Sequence, residues 1–363
     1  MRIWKRAAAC IAAGLLFASS ASAETTLHIT FAGDCTLGSE EATRNQASSF
    51  VSTITREGYD WPFANMQELF QNDDLTVVNL EGVLSDSNKQ ENKKKTFRFR
   101  GPTDYVNILT RSGIEAVNLA NNHTQDFGKQ GFTSTQQTLD AAGIGYFGGQ
   151  TYYVWEKNGI KIAFFGMGST GFNGNKKWAK EEIARLKRDE GVDAVVFTFH
   201  AGQEYGKHRL QRQVDFAQYV IDAGADLVIM HHPHVVQGMD IYKNRTVCYS
   251  LGNFAFGGNA SVKAIETVVV DAALTFDDDG TYLGQQLTLY PANISGTYPQ
   301  NNFQPILVSG DAAQAVMKLI QLDTPYELAP YTDEVGCAQQ PYLPAKDGDM
   351  EPVSIEEFSV EDD

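Results

Sequence analysis

Positive charge is scarce in this chain. Across 363 residues, 29 lysines and arginines face 45 aspartates and glutamates, a formal net charge of −16. That balance argues against nucleic acid as a partner, because phosphates are bound by Lys and Arg neutralisation. It argues equally against adhesion to an anionic membrane surface. Cysteine is scarcer still, with four residues. Cys10 lies inside an N-terminal apolar run, leaving Cys35, Cys248 and Cys337, an odd number that allows at most one internal bridge. Their spacing does not choose the pair. There is no disulfide framework, so the fold must rest on its core, and the length suffices for a large α/β domain or two small ones. The N-terminal apolar run, Ala7–Phe17, is too short for a membrane span. Arg2, Lys5 and Arg6 precede it and Ala21-Ser22-Ala23 follows, the layout of a secretory signal peptide cut after Ala23. Residues 1–23 are therefore expected to be a leader, and the protein exported: periplasmic, on the cell surface or secreted. Retention of the leader as an anchor is the alternative.

What the chain does have is a succession of apolar strand-like runs that end in polar clusters. Residues 26–33 run into Gly33-Asp34, Leu75–Leu80 into Glu81-Gly82, and Glu115–Leu119 into Asn121-Asn122-His123 with Asp126 close behind. Ala194–Phe199 ends in His200, with Glu204 following. Leu227–Met230 ends in His231-His232-Pro233-His234, so three of the chain's seven histidines occupy four consecutive positions. Further on, Tyr249–Phe254 delivers Asn253. Helical periodicity falls between these runs, notably over 104–112, 131–142, 176–189 and 210–223. Asn158-Gly159 marks a hairpin. Strands alternating with helices predict an α/β sheet, and in such sheets ligands bind beyond the carboxyl ends of the strands. One domain over 24–330 is expected, with 331–363 as an acidic, disordered tail.

Carboxylate oxygen and neutral imidazole suit Zn, Mn and Fe(II). His232 and His234 stand two apart, so on extended backbone they would face the same side, with Pro233 stiffening the segment between them. Taken singly, Asp34 and Glu81 read as turn residues. Five strand ends that all carry ligand-type residues do not. Residues 85–96 are a polar, Lys-rich insertion in an acidic chain. They form either a solvated loop or, with Arg98 and Arg100, a basic lip for an anionic substrate.

Six motifs carry a family resemblance: GDCTLG (33–38), NLEG (79–82), LANNHTQDFG (119–128), HAGQEY (200–205), HHPH (231–234) and YSLGNF (249–254). Together they resemble the CapA family of bacterial capsule (poly-γ-glutamate) synthesis proteins, itself similar to calcineurin-like metallophosphatases. The resemblance implies an α/β fold, a four-layer αββα sandwich of metallophosphatase type, with one or two divalent metal ions (Mn, Zn or Fe) at the sheet edge. It implies Asp34, Glu81, Asn122, His200, His232 and His234 as metal ligands. His123 would protonate the leaving group, and Asp126 would orient it. Glu204, Asn253, Arg98 and Arg100 are candidates for substrate contact. The partners implied are an anionic envelope polymer or its precursor and other capsule synthesis or export proteins. Two departures from the phosphatase pattern stand out. Asp34-Cys35-Thr36 lacks the histidine of the Asp-x-His motif, and Glu81 stands where an aspartate bridges the metals. The expected function is a metal-dependent hydrolase or transferase of capsule polymer synthesis. The alternative is a non-catalytic binding or export component on the same fold.

Overall fold

The structure is a computed structural model and describes residues 24–346, so the expected leader lies outside the described residues, as do 347–363. In chain order the elements begin with β1 (Thr25–Thr36), α1 (Phe50–Glu57), α2 (Gln67–Gln71), β2 (Leu75–Leu80), β3 (Val83–Leu84) and β4 (Arg100–Gly101). Next come α3 (Val106–Ser112), β5 (Ala116–Asn118), α4 (Gly128–Ala142), β6 (Gly145–Phe147), β7 (Tyr153–Lys157), β8 (Ile160–Gly168) and α5 (Ser169–Asp189). Then follow β9 (Ala194–His200), α6 (Gln211–Asp222), β10 (Leu227–His231), β11 (Met239–Tyr242), β12 (Arg245–Cys248) and β13 (Asn253–Phe256). The last are β14 (Glu266–Phe276), β15 (Tyr282–Asn293), β16 (Ile306–Leu307), α7 (Gly310–Leu322), β17 (Ala338–Gln339) and β18 (Leu343–Pro344).

Two sheets form the middle of the molecule. The first runs β16-β15-β14-β1-β2-β5-β6, with β13 added beside β1; the second runs β11-β12-β10-β9-β8-β7. Each central strand has one residue set facing the other sheet and one facing helices. Leu27, Ile29, Phe31 and Val77 meet Ile162, Phe164, Val196 and Ile229 between the sheets. Ala32, Val78 and Val117 pack against Phe50, Ile54, Ile108, Leu109 and Leu139 of α1, α3 and α4. Val195, Phe197, Val228 and Met230 pack against Phe172, Ile183, Phe216 and Val220 of α5 and α6. Strands buried on both faces read as near-continuous apolar runs, which is how β2, β9 and β10 look in the sequence. The expected αββα sandwich is the architecture found. On α7, Ala313, Val316, Met317 and Ile320 repeat at helical spacing and close one side of the inter-sheet core.

The expected end of the domain at residue 330 is corrected. Residues 331–346 return to the first sheet, where β17 and β18 pair antiparallel with β15 and so cover part of its edge. Their backbone hydrogen bonds hold them there, and no apolar periodicity is needed. Cys35, Cys248 and Cys337 are all free.

Candidate metal centre

The parallel strands β1, β2 and β5 end at one register. Asp34 lies opposite Asn79, and Asn79 opposite Asn118. Their side chains form a ladder in which Asn118 Nδ2 donates to Asn79 Oδ1 at 2.9 Å and Asn79 Nδ2 donates to Asp34 Oδ1 at 2.7 Å. Asn121 Nδ2 donates to the Leu80 carbonyl at 2.8 Å, and Asn121 Oδ1 accepts from His123 N at 3.0 Å. All three ladder residues are fully buried. Neither Asn79 nor Asn118 is among the residues expected from sequence. The signal available was a repeat, Val-Asn-Leu at 78–80 and again at 117–119.

From the second sheet, β9 and β10 end side by side with His200 and His231 in register. Beyond β10 the backbone turns sharply, with His232 at φ 99° and His234 at φ 59°. A left-handed conformation at a non-glycine residue costs of order 1–3 kcal/mol and tends to cluster at functional sites. The chain then leaves the second sheet after β12 and enters the first as β13, which pairs with β1 so that Asn253 lies opposite Asp34. Asp34 N donates to the Gly252 carbonyl at 3.0 Å. A Cβ on Gly33 would come within 2.1 Å of that oxygen, so the crossing requires glycine there.

Most donor atoms that meet here stand further apart than hydrogen-bonded pairs. His200 Nε2 lies 3.5 Å from Glu81 Oε1 and His231 Nδ1 3.6 Å from Asp34 Oδ1, whereas His234 Nδ1 is within hydrogen-bond reach of Asp34 Oδ2 at 3.2 Å. His234 Nε2 is 3.9 Å from Glu81 Oε1. Ligands of one tetrahedral ion with bonds of roughly 2.0–2.2 Å stand about 3.3–3.5 Å from each other, which is this spacing. Both Glu81 carboxylate oxygens and His231 Nδ1 are buried with no hydrogen-bond partner. Orphaned buried carboxylate oxygens are costly unless a cation meets them. Two donor triads have all their ligand atoms within 4.8 Å of one another: Asp34, Glu81 and His234, and Glu204, His232 and His234. The residues present therefore fit a divalent cation.

Protons are held unevenly among these groups. Burial and the charge of Asp34 push the Glu81 carboxyl well above the carboxylate range, with His234 opposing. Burial acts to raise Asp34 as well. The hydrogen bond from His234 and the charges of His234, His200 and His231 outweigh it and hold that carboxyl low. Burial opposes protonation of His234, but Glu81 and Asp34 bring it up to about 10. Burial keeps His200 well below, and His231 and His232 below, the usual imidazole range, the neutral form that binds metals.

The remaining expected residues divide into two groups. Asn122 Oδ1 lies 2.7 Å from His200 Nε2, and His232 Nδ1 lies 3.0 Å from the same nitrogen. Asn253 Oδ1 accepts from His234 Nδ1 at 2.8 Å. His123 Nδ1 donates to Asp126 Oδ2 at 2.7 Å, and its Nε2 faces Glu81 at 3.8 Å. Phe99 N donates to the same Asp126 oxygen at 2.8 Å, and the Phe99 ring lies 4.5 Å from the His123 ring. All of these converge. Arg98 and Arg100 do not. Arg98 is held by Glu91 and by the Lys95 and Thr96 carbonyls, Arg100 by Glu41 and the Ser85 carbonyl. Both guanidinium groups brace their loop with partners of their own, apart from the group that converges on Asp34 and Glu81. The cation that this loop does deliver is Lys95, whose Nζ donates to the Asp126 carboxylate and, at 2.6 Å, to the Asn122 carbonyl. His231 is outside the expected ligand set, yet it lies buried against Asp34, with Nδ1 3.6 Å from Oδ1.

Residues 28–258 match the family model described as bacterial capsule synthesis protein PGA_cap. Among curated proteins, the capsule biosynthesis protein CapA of Bacillus anthracis is 28% identical over 271 residues, covering 68% of this chain and 64% of that protein. The PGA biosynthesis protein CapA of Bacillus subtilis is 30% identical over 250 residues, covering 63% of each. A probable polyglutamine synthesis accessory protein of Mycobacterium tuberculosis is 24% identical over 242 residues, covering 56% of this chain and 63% of that one. The chain thus spans somewhat under two thirds of the length of these relatives.

Proposed function

The chain belongs to the PGA_cap family of bacterial capsule synthesis proteins, and from that membership we propose that it is an exported, divalent-metal-dependent hydrolase or transferase acting on poly-γ-glutamate or a related anionic envelope polymer. The observation that carries the metal reading is Glu81. Both its oxygens are buried and unpaired among imidazoles set 3.5–3.9 Å away.

Asp34, Glu81, His200, His231 and His234 would hold one ion, and His232, Glu204 and Asn122, with His234 shared, would hold a second. A bound ion would polarise the scissile group and lower the pKa of a water. The chain's own residues would do the rest. Asp126 accepts from His123 Nδ1, so Nε2 is the nitrogen left to take or hand over a proton. Burial lowers the His123 pKa against the pull of Asp126, which favours the neutral imidazole with Nε2 open to a proton. The Phe99 ring packs beside that imidazole, tilted by 42°. Asn79 fixes Asp34, and Asn253 fixes His234.

Elemental analysis of the purified protein tests this. Wild type should carry metal and cleave or transfer oligo-γ-glutamate, and Asp34→Ala and His234→Ala should lose both together. Full activity after chelation would overturn the reading. Export is tested by N-terminal mass analysis of the protein made in cells, with Glu24 expected as the first residue. One observation favours a second reading, a polymer-binding or export component that breaks no bond. Cys35 occupies the position after Asp34 and its thiol hydrogen-bonds back to the Gly33 carbonyl at 3.6 Å, away from the site, so the first motif supplies no imidazole. Capsule that persists with His123→Ala but not with deletion of the gene would decide for that reading.

A further inference from the structure

A chain of aromatic rings borders the metal residues on one side, and it has a lysine at each end. Beginning at Lys95, whose Nζ is 3.5 Å from His123 Nδ1, the His123 ring lies 4.5 Å from Phe99, and Phe99 lies 5.8 Å from Phe256. Phe256 continues to the His234 ring at 5.3 Å, and His234 to Tyr205 at 6.1 Å. Beyond it, Lys263 Nζ stands 5.1 Å from the centre of the Tyr205 ring.

The two ends differ in chemistry. Lys95 is tied to the buried Asp126 and is only partly exposed. Lys263 is exposed and has no carboxylate within 4.0 Å among the described residues; its neighbour is the face of Tyr205. That face steers an ammonium without neutralising it. Tyr205 is itself fixed. It adopts φ 60°, and its N–H donates to the Pro233 carbonyl at 2.7 Å, inside the His232–His234 turn. The ring and the ammonium it orients are thereby positioned by the same turn that presents the histidines. In a chain of net charge −16, an unneutralised cation held at the mouth of an acidic site has an anion to recognise.

We propose that Lys263, oriented by Tyr205, forms an anion-binding subsite beside the metal residues, which takes a carboxylate of the chain at a distance from the position attacked. This rests on the polymer reading above and adds to it. The preferred ligand is a polycarboxylate chain, one of whose further carboxylates reaches Lys263 while another part lies at the metal residues.

The test is calorimetric titration of the full chain, loaded with Mn2+, with synthetic penta-γ-glutamate at low salt. Lys263→Gln should weaken binding about fivefold, the upper end for one exposed charge pair, with metal content unchanged. Lys177→Gln removes a lysine that is 87% exposed on α5 and paired with Glu181. It corrects for loss of general positive charge and should leave affinity as in wild type. Affinity unchanged in Lys263→Gln, or reduced equally in Lys177→Gln, overturns the subsite and leaves the proposed function standing. Metal-loaded wild type that does not bind the pentamer overturns the polymer reading, and the subsite with it.

Discussion

Asn79 hydrogen-bonds Asp34 across adjacent parallel strands, Nδ2 to Oδ1 at 2.7 Å, and is itself held by Asn118. The carboxylate nearest the histidines is therefore aimed by a buried amide that touches no candidate ligand except Asp34 and, at 3.3 Å, His200 Nδ1. Partners of metal ligands typically carry a 10–100-fold effect on metal affinity. Asn79→Ala is expected to weaken metal binding by about that factor, read by competition with a chromogenic chelator. It should also lower stability by about 1–3 kcal/mol, because Asn118 loses an acceptor in the core.

Metal binding itself should stabilise the fold. An ion that binds only the native state at about 100 times its Kd adds about 2.7 kcal/mol. Thermal denaturation should shift upward with added Mn2+ or Zn2+ and return with chelator. In Asp34→Ala the shift should vanish.

His123→Ala and Asp126→Asn separate chemistry from assembly. Neither residue belongs to the two donor triads, so metal content should stay as in wild type. Turnover of the polymer should fall by roughly 10²–10⁴, the usual share of a positioned proton donor or acceptor. Paired elemental analysis and product chromatography would check both.

Gly33→Ala is expected to cost more than about 4 kcal/mol, since its Cβ would overlap the Gly252 carbonyl at 2.1 Å and force β13 away from β1. Gly171→Ala makes the control. That glycine lies inside α5 and a Cβ there meets nothing within 4 Å, so the substitution should stabilise by roughly 0.5–1 kcal/mol. Urea denaturation measures both.

Glu115 supplies a pH dependence away from the site. Glu115 is exposed as a residue, but its carboxylate turns in to accept from Thr76 N at 2.9 Å, and the partial withdrawal from water raises its pKa from 4.5 to about 7. The folded state thus holds this proton more tightly than the unfolded one. Its contribution is fully present below pH 4.5, falls as pH rises to about 7, and is constant above. Glu115→Gln removes that slope. The melting temperature of the variant relative to wild type should be higher at pH 8 than at pH 5.

The sequence revealed the strand ends because a doubly buried strand is an unbroken apolar run, and a charged residue can follow it only where the sheet meets solvent or a ligand. The same rule hid Asn79 and Asn118. They lie inside such runs, where a lone amide reads as tolerated polarity until its neighbour across the sheet is known. Register between distant strands is not a local property. The short helix α1 leaves little trace in the sequence for another reason. It buries Phe50, Thr53 and Ile54, a stripe too narrow to show as a period in a polar segment, although Ser49 caps it by accepting from Ser52 N at 3.1 Å. The setting of Arg98 and Arg100 was hidden because a sequence shows charge but not its counter-charge. Glu91 stands seven positions from Arg98, and Glu41 stands 59 from Arg100, and only the folded loop brings them to these guanidinium groups.

The move of the chain from one sheet to the other between β12 and β13 places the candidate ligands on both sides of the joint between the sheets. The set of Asp34, Glu81 and His234 cannot exist until the first sheet has docked against the histidines of the second. These contacts are of high sequence separation, the kind that form late and slowly. Ion capture at that set would then be a last event, open only to molecules whose two halves have already closed correctly. In a preparation of mixed quality, bound metal per chain would count the correctly folded fraction, and a misdocked copy would be inert.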